Sequence, residues 1–89
     1  DPTSLCRAAI LQAEASAGIP PGLLQAIGQV ESGRRNPATG TFGPWPWTIN
    51  AEGRGHFLPS REAAIALVQE LRGRGVRSLD VGCMQINLH

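Results

Sequence analysis

Glycine and proline cut this chain into four pieces, and none of the four leaves room for more than a short helix, a loop or a strand. Eleven glycines and seven prolines fall among 89 residues. The first piece predicts a helix from Ser4 to Ala17, with Ser4 capping the free N–H groups and Gly18 ending it. Cys6, Ala9, Ile10, Ala13 and Ala17 recur at helical spacing and give a narrow face of small residues. Ile19-Pro20-Pro21 then turns the chain. A second helix is expected from Pro21 to Ser32, with proline at its first position and Gly33 as its stop. Leu24, Ile27 and Glu31 share one face of it. From Arg34 to Pro59 the chain reads as loop and hairpin. Asn36-Pro37, Thr39-Gly40 and Gly43-Pro44 are turn signals there, Trp45 to Asn50 is extended, and Ala51 to Gly55 returns it into His56-Phe57-Leu58. Ser60 opens a third helix that buries Ala64, Leu67, Val68 and Leu71 and stops at Gly73 or Gly75. The tail from Val76 to His89 predicts an extended run, Val81 to Asn87, that pairs with the hairpin.

These elements make a single α+β domain over residues 1–89, mainly helical, with a small β-hairpin or sheet. A chain this short buries a modest fraction of its surface, so a cross-link would matter. Cys6 and Cys83 lie near opposite ends. Closing that loop constrains the unfolded chain by about 4.5 kcal/mol on the loop-entropy argument. Two readings stay open: a disulfide, which implies an oxidising compartment, or two buried free thiols. Neither cysteine belongs to a C-x-x-C pair, so zinc is not expected. Neither His56 nor His89 has a motif that would activate a thiol. No metal or cofactor is called for.

Charge excludes further classes. A net charge of +1 argues against a dedicated nucleic-acid binder. Every basic residue is arginine. The Arg34/Arg35 and Arg72/Arg74/Arg77 groups are either solvated surface or forked donors for carboxylates and sugar hydroxyls. No apolar run is long enough to span a membrane. The start at Asp1-Pro2-Thr3-Ser4 reads as a mature end after signal removal, or as a chosen boundary.

Glu31 is the most informative candidate. A carboxylate on the apolar face of a helix is disfavoured by desolvation, and the negative end of the helix dipole adds to that. Both effects are expected to favour the protonated form, as a general acid for glycosidic cleavage requires. The alternative is a helix-terminal ion pair with Arg34 or Arg35. Glu52 lies in a glycine-rich turn and Asp80 precedes Val81-Gly82, so both read as turn residues. No second catalytic carboxylate stands out, although ordinary glycoside hydrolysis uses a pair. Trp45 and Trp47, alternating with proline, form either a platform for a sugar ring or a cap on a small core. Gln85 and Asn87, on one face of the expected strand, carry amides suited to hydroxyl and acetamido groups.

Together these residues resemble a family. Glu31-Ser32-Gly33 at a helix end and Gly82-Cys83-Met84-Gln85-Ile86-Asn87 are similar to the Glu-Ser and Gly-Leu-Met-Gln motifs of the soluble-lytic-transglycosylase-type domain. Gly18-Ile19-Pro20 through Leu24 and Ala26-Ile27 resemble the helix before its catalytic glutamate. Pro44 to Asn50 and Ser78 to Gln85 look like the subgroup found with bacterial secretion and conjugation systems. The resemblance covers essentially the whole chain. It implies a lysozyme-like fold and a periplasmic enzyme acting on peptidoglycan glycan strands, with a secretion or conjugation apparatus as partner. By the same carry-over Glu31 is the catalytic acid and base, Ser32 orients its carboxyl, and Met84 and Gln85 line the sugar cleft; the residues themselves add Trp47 and Asn87 as further candidates for sugar contact. Cys83 stands where the family has leucine, consistent with a bridge to Cys6. The family's domain continues with further helices, one carrying a tyrosine that contacts the glutamate, and this sequence has no tyrosine. The resemblance therefore implies the N-terminal part of such a domain, incomplete at the C-terminus, or one completed by a partner chain. Three functions follow as expectations: a lytic transglycosylase, a muramidase with its water placed by Asp80 or Glu52, or a non-catalytic glycan-binding module.

Overall fold

Asp1, and not Ser4, starts the first helix. In the structure, a computed structural model that describes residues 1–89, helix α1 runs Pro2–Ala17. Its Asp1 carboxylate accepts from the Thr3 N–H at 3.1 Å and from the Thr3 hydroxyl at 3.0 Å. The Ser4 hydroxyl instead donates to the Asp1 carbonyl at 2.6 Å. Proline at the first helical position costs nothing, because its missing N–H would be unpaired anyway. Gly18 closes α1 in the left-handed region, at φ 66°.

The face that α1 buries is not the expected alanine stripe. Thr3, Cys6, Ile10 and Glu14 are buried, while Ala9, Ala13 and Ala17 are exposed. Packing chose the stripe that carries the cysteine and a carboxylate. Helix α2, Leu23–Ser32, begins after the two prolines and not on Pro21. Its N-cap is Gly22, which has no side chain to satisfy the free N–H groups. Glu14 supplies that cap from the neighbouring helix.

Strand β1 (Gly33–Arg35) follows α2 directly and pairs antiparallel with β2 (Phe42–Pro44). This hairpin forms where turn signals predict loop, and Gly43-Pro44, expected as a turn, is strand. Asn36 closes the hairpin by local bonds. Its N–H donates to the Thr41 carbonyl and its side chain accepts from the Ala38 N–H. The expected hairpin also forms, from β3 (Thr48–Ala51) and β4 (Arg54–Phe57). Its two linking residues, Glu52 and Gly53, both have positive φ, as a tight two-residue hairpin turn demands. Ser60 caps helix α3 (Arg61–Gly73) through the Ala63 N–H, as expected.

The tail is two strands and not one. Strand β5 (Leu79–Val81) pairs with β3, and β6 (Ile86–Asn87) pairs with β5, giving the sheet order β4-β3-β5-β6. Residues 82–85 turn between them, with Gly82 at φ 84° and Gln85 at φ 53°. One small core forms where α3 meets this sheet: Ile49, Ala51, Leu71 and Leu79, with Ala64, Leu67 and Val68 packed against them. A second packs α1 and α2 against β2. The Cys6–Cys83 disulfide joins the two, with its Cα atoms 5.7 Å apart. The observed architecture is the α+β arrangement expected, with no helix long and apolar enough to cross a membrane.

Candidate functional site

The junction between the two cores is where the candidate residues gather. Helix α2 reaches it because Gly28 has no side chain. A Cβ there would lie 3.1 Å from Ile10 Cδ1, 3.1 Å from Pro44 Cγ and 3.3 Å from Met84 Sδ. α1, β2 and the 82–85 turn therefore all close on α2 at this one position. One turn later Ser32 is 1% exposed. Its hydroxyl donates to the Cys83 carbonyl at 2.7 Å and accepts from the Trp45 N–H at 3.2 Å. The two motif segments, 51 residues apart in sequence, are thus bonded to each other directly.

The Ser32 hydroxyl faces the protein interior, where it fixes the end of α2 against the 82–85 turn. Met84 is half-buried against Gly28 and likewise sets the helix position. Gln85 is also turned inward. Its amide N–H groups donate to the Thr48 carbonyl at 3.0 Å and the Gly82 carbonyl at 2.9 Å. Its amide oxygen accepts from Asn50 at 2.9 Å. The positive φ of Gln85 breaks the strand that would have aligned it with Asn87. Asn87 is exposed and donates to Ser78 Oγ and to an Asp80 carboxylate oxygen. Gln85 and Asn87 therefore do not form one polar face.

Glu31 lies next to Ser32 at the end of α2, and its side chain is exposed. The dry setting expected for it is not formed by its helical neighbours. Ile27 is exposed, and Val30 is 85% exposed. Burial goes instead to Gly28, where the Ile10, Pro44 and Met84 side chains close in, and to Ser32, where the Cys83 and Trp45 backbones do, closer than leucine or isoleucine would allow. Nor does Glu31 take the expected arginine partner. Arg34 stacks 4.6 Å from the Trp45 ring and 5.0 Å from the Phe57 ring, and Arg35 donates to the Gly40 carbonyl.

The tryptophans separate. Trp45 is core, 5% exposed, with its indole N–H donating to the Leu58 carbonyl at 2.8 Å. Trp47 is half-buried and borders an open cleft of about 350 Å³ between α3 and the sheet. Glu52 and Asp80 line a different, polar hollow of about 490 Å³ with Asn50, Arg77 and Ser78, and Glu31 is not part of it. No three His, Cys, Asp or Glu side chains cluster where they could hold a metal ion.

Two residues that organise the site were missed in the sequence. Glu14 is 3% exposed and accepts from the Gly22, Leu24 and Gln25 N–H groups at 3.1, 2.8 and 3.3 Å. It caps α2 from outside and so aims the helix that carries Glu31. The signal was present: Cys6, Ile10 and Glu14 recur every four residues, and the next helix begins on a glycine with no cap of its own. Gly28 carried no such signal, because a mid-helix glycine acquires meaning only from what touches it. Comparison with protein-family models, with curated proteins and with solved structures finds no match for this chain.

Proposed function

We propose that this chain is a peptidoglycan lytic transglycosylase module with Glu31 as its single acid and base. The Glu31 carboxyl gives its proton to the glycosidic oxygen between N-acetylmuramic acid and N-acetylglucosamine, and the C1–O bond breaks. The muramic C6 hydroxyl oxygen then bonds to C1, and the carboxylate takes the hydroxyl proton. Glu31 is restored, a 1,6-anhydro ring forms and no water is consumed. Chemistry of this kind needs one carboxyl group, whereas hydrolysis uses two.

The observation that carries this reading is the Ser32–Cys83 hydrogen bond. It joins the Glu-Ser helix end to the Gly-Cys-Met-Gln turn, the two segments on which the family resemblance rests. That Glu52 and Asp80 occupy a hollow of their own supports a one-carboxylate reaction over a muramidase. The disulfide supports an oxidising, extracytoplasmic setting, which we take as the periplasm, with glycan strands as substrate and a secretion or conjugation apparatus as associate.

Mass spectrometry of murein digested by the chain tests this. Anhydro-muropeptides are expected, and Glu31→Gln is expected to lower their rate at least about a hundredfold. Reducing ends in their place would transfer the reading to a muramidase. The exposure of Glu31 favours one second reading, a glycan-binding module without catalysis. Glycan binding that survives Glu31→Gln, with no cleavage by either protein, is the outcome that selects it.

A further inference from the structure

Arg34 has a setting that no other arginine of the chain shares. Of the eight arginines it alone is half-buried, and the rest are exposed. It lies on β1, opposite Gly43 of β2, and its side chain crosses from that hairpin to the larger sheet. The guanidinium carbon stands 4.6 Å from the centre of the Trp45 ring and 5.0 Å from that of Phe57, on β4. A cation held over a ring is attracted by the ring's own charge distribution, which occupies none of its N–H groups. Nε donates to the Arg35 carbonyl at 3.3 Å, and the N–H groups of both Nη atoms donate to no protein group. Two rings and one hydrogen bond therefore fix the guanidinium and leave its fork open. Glu31 precedes Arg34 by three residues. A chain extends at most about 3.6 Å per residue, so the two Cα atoms lie within about 11 Å of each other.

We infer that Arg34 binds the lactyl carboxylate of the muramic unit whose C1–O bond Glu31 breaks, and so selects strands that carry no peptide on that unit. The inference rests on the transglycosylase reading, which supplies the sugar. A bare muramic unit ends its lactyl group in a carboxylate, whereas a peptide-bearing one has a neutral amide there. The open fork of a guanidinium matches the two oxygens of a carboxylate, and an amide offers it one oxygen and no charge. Half-burial makes the pair stronger than an exposed one, because water screens it less. The lactyl group is also the anion nearest the reacting bond. Carboxylates of a peptide lie farther out on a flexible arm, and a guanidinium stacked on two rings does not follow them. Arg34 on this account sets which strands are held, and Glu31 performs the chemistry.

The test uses the intact chain and peptide-free glycan strands in two forms, with the lactyl carboxyl free or capped as its methylamide. The free acid is expected to show a KM about tenfold lower, the effect of one charge-assisted hydrogen bond, with kcat little changed. Arg34→Gln is expected to bring the two KM values together. Arg34→Lys, which keeps the charge and loses the fork, is expected to restore part of the difference. A merely structural role for Arg34 would slow both forms alike and leave their ratio untouched. Comparing the two substrates on the parent chain needs no variant, so the result stands even where Arg34→Gln fails to fold. Equal KM values on the parent, or a ratio that survives Arg34→Gln, overturns the inference. Binding of the same strands to Glu31→Gln keeps the two readings apart. Acid-selective binding that needs Arg34, with no cleavage by the parent, leaves the Arg34 site and removes the transglycosylase. Anhydro products formed from both strands at equal KM leave the transglycosylase and remove the site.

Discussion

A single carboxylate can do what a helix's own first residue cannot. Gly22 opens α2 without a side-chain acceptor, and three N–H groups there are satisfied by Glu14 from the preceding helix. The negative charge also meets the positive end of the α2 dipole. Glu14→Ala strands those three donors in a partly buried place. A loss of about 2–3 kcal/mol in urea unfolding is expected, since hydrogen bonds to charged groups contribute about 1.5–3 kcal/mol and buried orphans cost as much again. A change under about 0.5 kcal/mol, the range of an ordinary surface substitution, would show that water caps the helix instead. Because Glu14 aims the helix that carries Glu31, the same variant is expected to lower any glycan turnover along with stability.

Turns decided more than strands did in this fold. The β3–β4 hairpin was legible because the glycine-rich stretch Ala51 to Gly55 lies between extended runs, and the structure narrows its turn to Glu52-Gly53. The β5–β6 turn was not legible, because a glutamine with positive φ is unusual and nothing local announces it. Two hydrogen bonds donated by the Gln85 amide and one it accepts from Asn50 hold it there. Gln85→Leu removes all three and leaves the Asn50 amide without its partner. The expected cost is about 2 kcal/mol, read as a lowered denaturation midpoint. Hydrogen exchange localises the effect: the Gln85 and Leu88 N–H groups, bonded to Gly82 and Leu79, should lose protection before α1 does. Uniform loss across all three helices would show that the turn does not act as a local clasp. The β1–β2 hairpin was missed for a different reason. Its strands are three residues each, and Gly43-Pro44 reads as a breaker until Pro44 is seen at the end of an edge strand, where its missing N–H costs little.

Across the whole molecule, cross-linking matters because the buried interior is small. Only 15 of the 89 residues are buried, split between two cores. The Cys6–Cys83 bridge has a sequence separation of 77 and joins those cores. On the loop-entropy argument it contributes about 4.5 kcal/mol, against a total of about 5–15 kcal/mol for an ordinary domain. Reduction with dithiothreitol, or Cys6→Ser, is expected to drop the melting temperature by more than 15 °C or to abolish cooperative melting. A shift of only a few degrees would mean that packing at Gly28 and the Ser32–Cys83 bond already suffice. Glycan cleavage or binding should fall in step with the bridge, since the Cys83 carbonyl holds Ser32 beside Glu31.

The sequence by itself determined what depends on neighbours along the chain. Three helices, the Gly18 and Gly33 stops, the Ser60 cap and the β3–β4 turn all follow from propensity and turn chemistry within a few residues. It also set out the candidate residues, and it left the cysteines open between a bridge and free thiols. Tertiary structure alone decided which face of each helix is buried and where polar side chains spend their hydrogen bonds. α2 buries Gly28 and Ser32 in preference to Leu23, Ile27 and Val30, because the Ile10, Pro44 and Met84 side chains close on Gly28 with no room for a larger residue. Ser32 and Gln85 then turn inward, because a buried carbonyl or amide must be paired with whatever the fold brings near it. Such partners lie 35 to 51 residues away in the chain, beyond the reach of any local pattern.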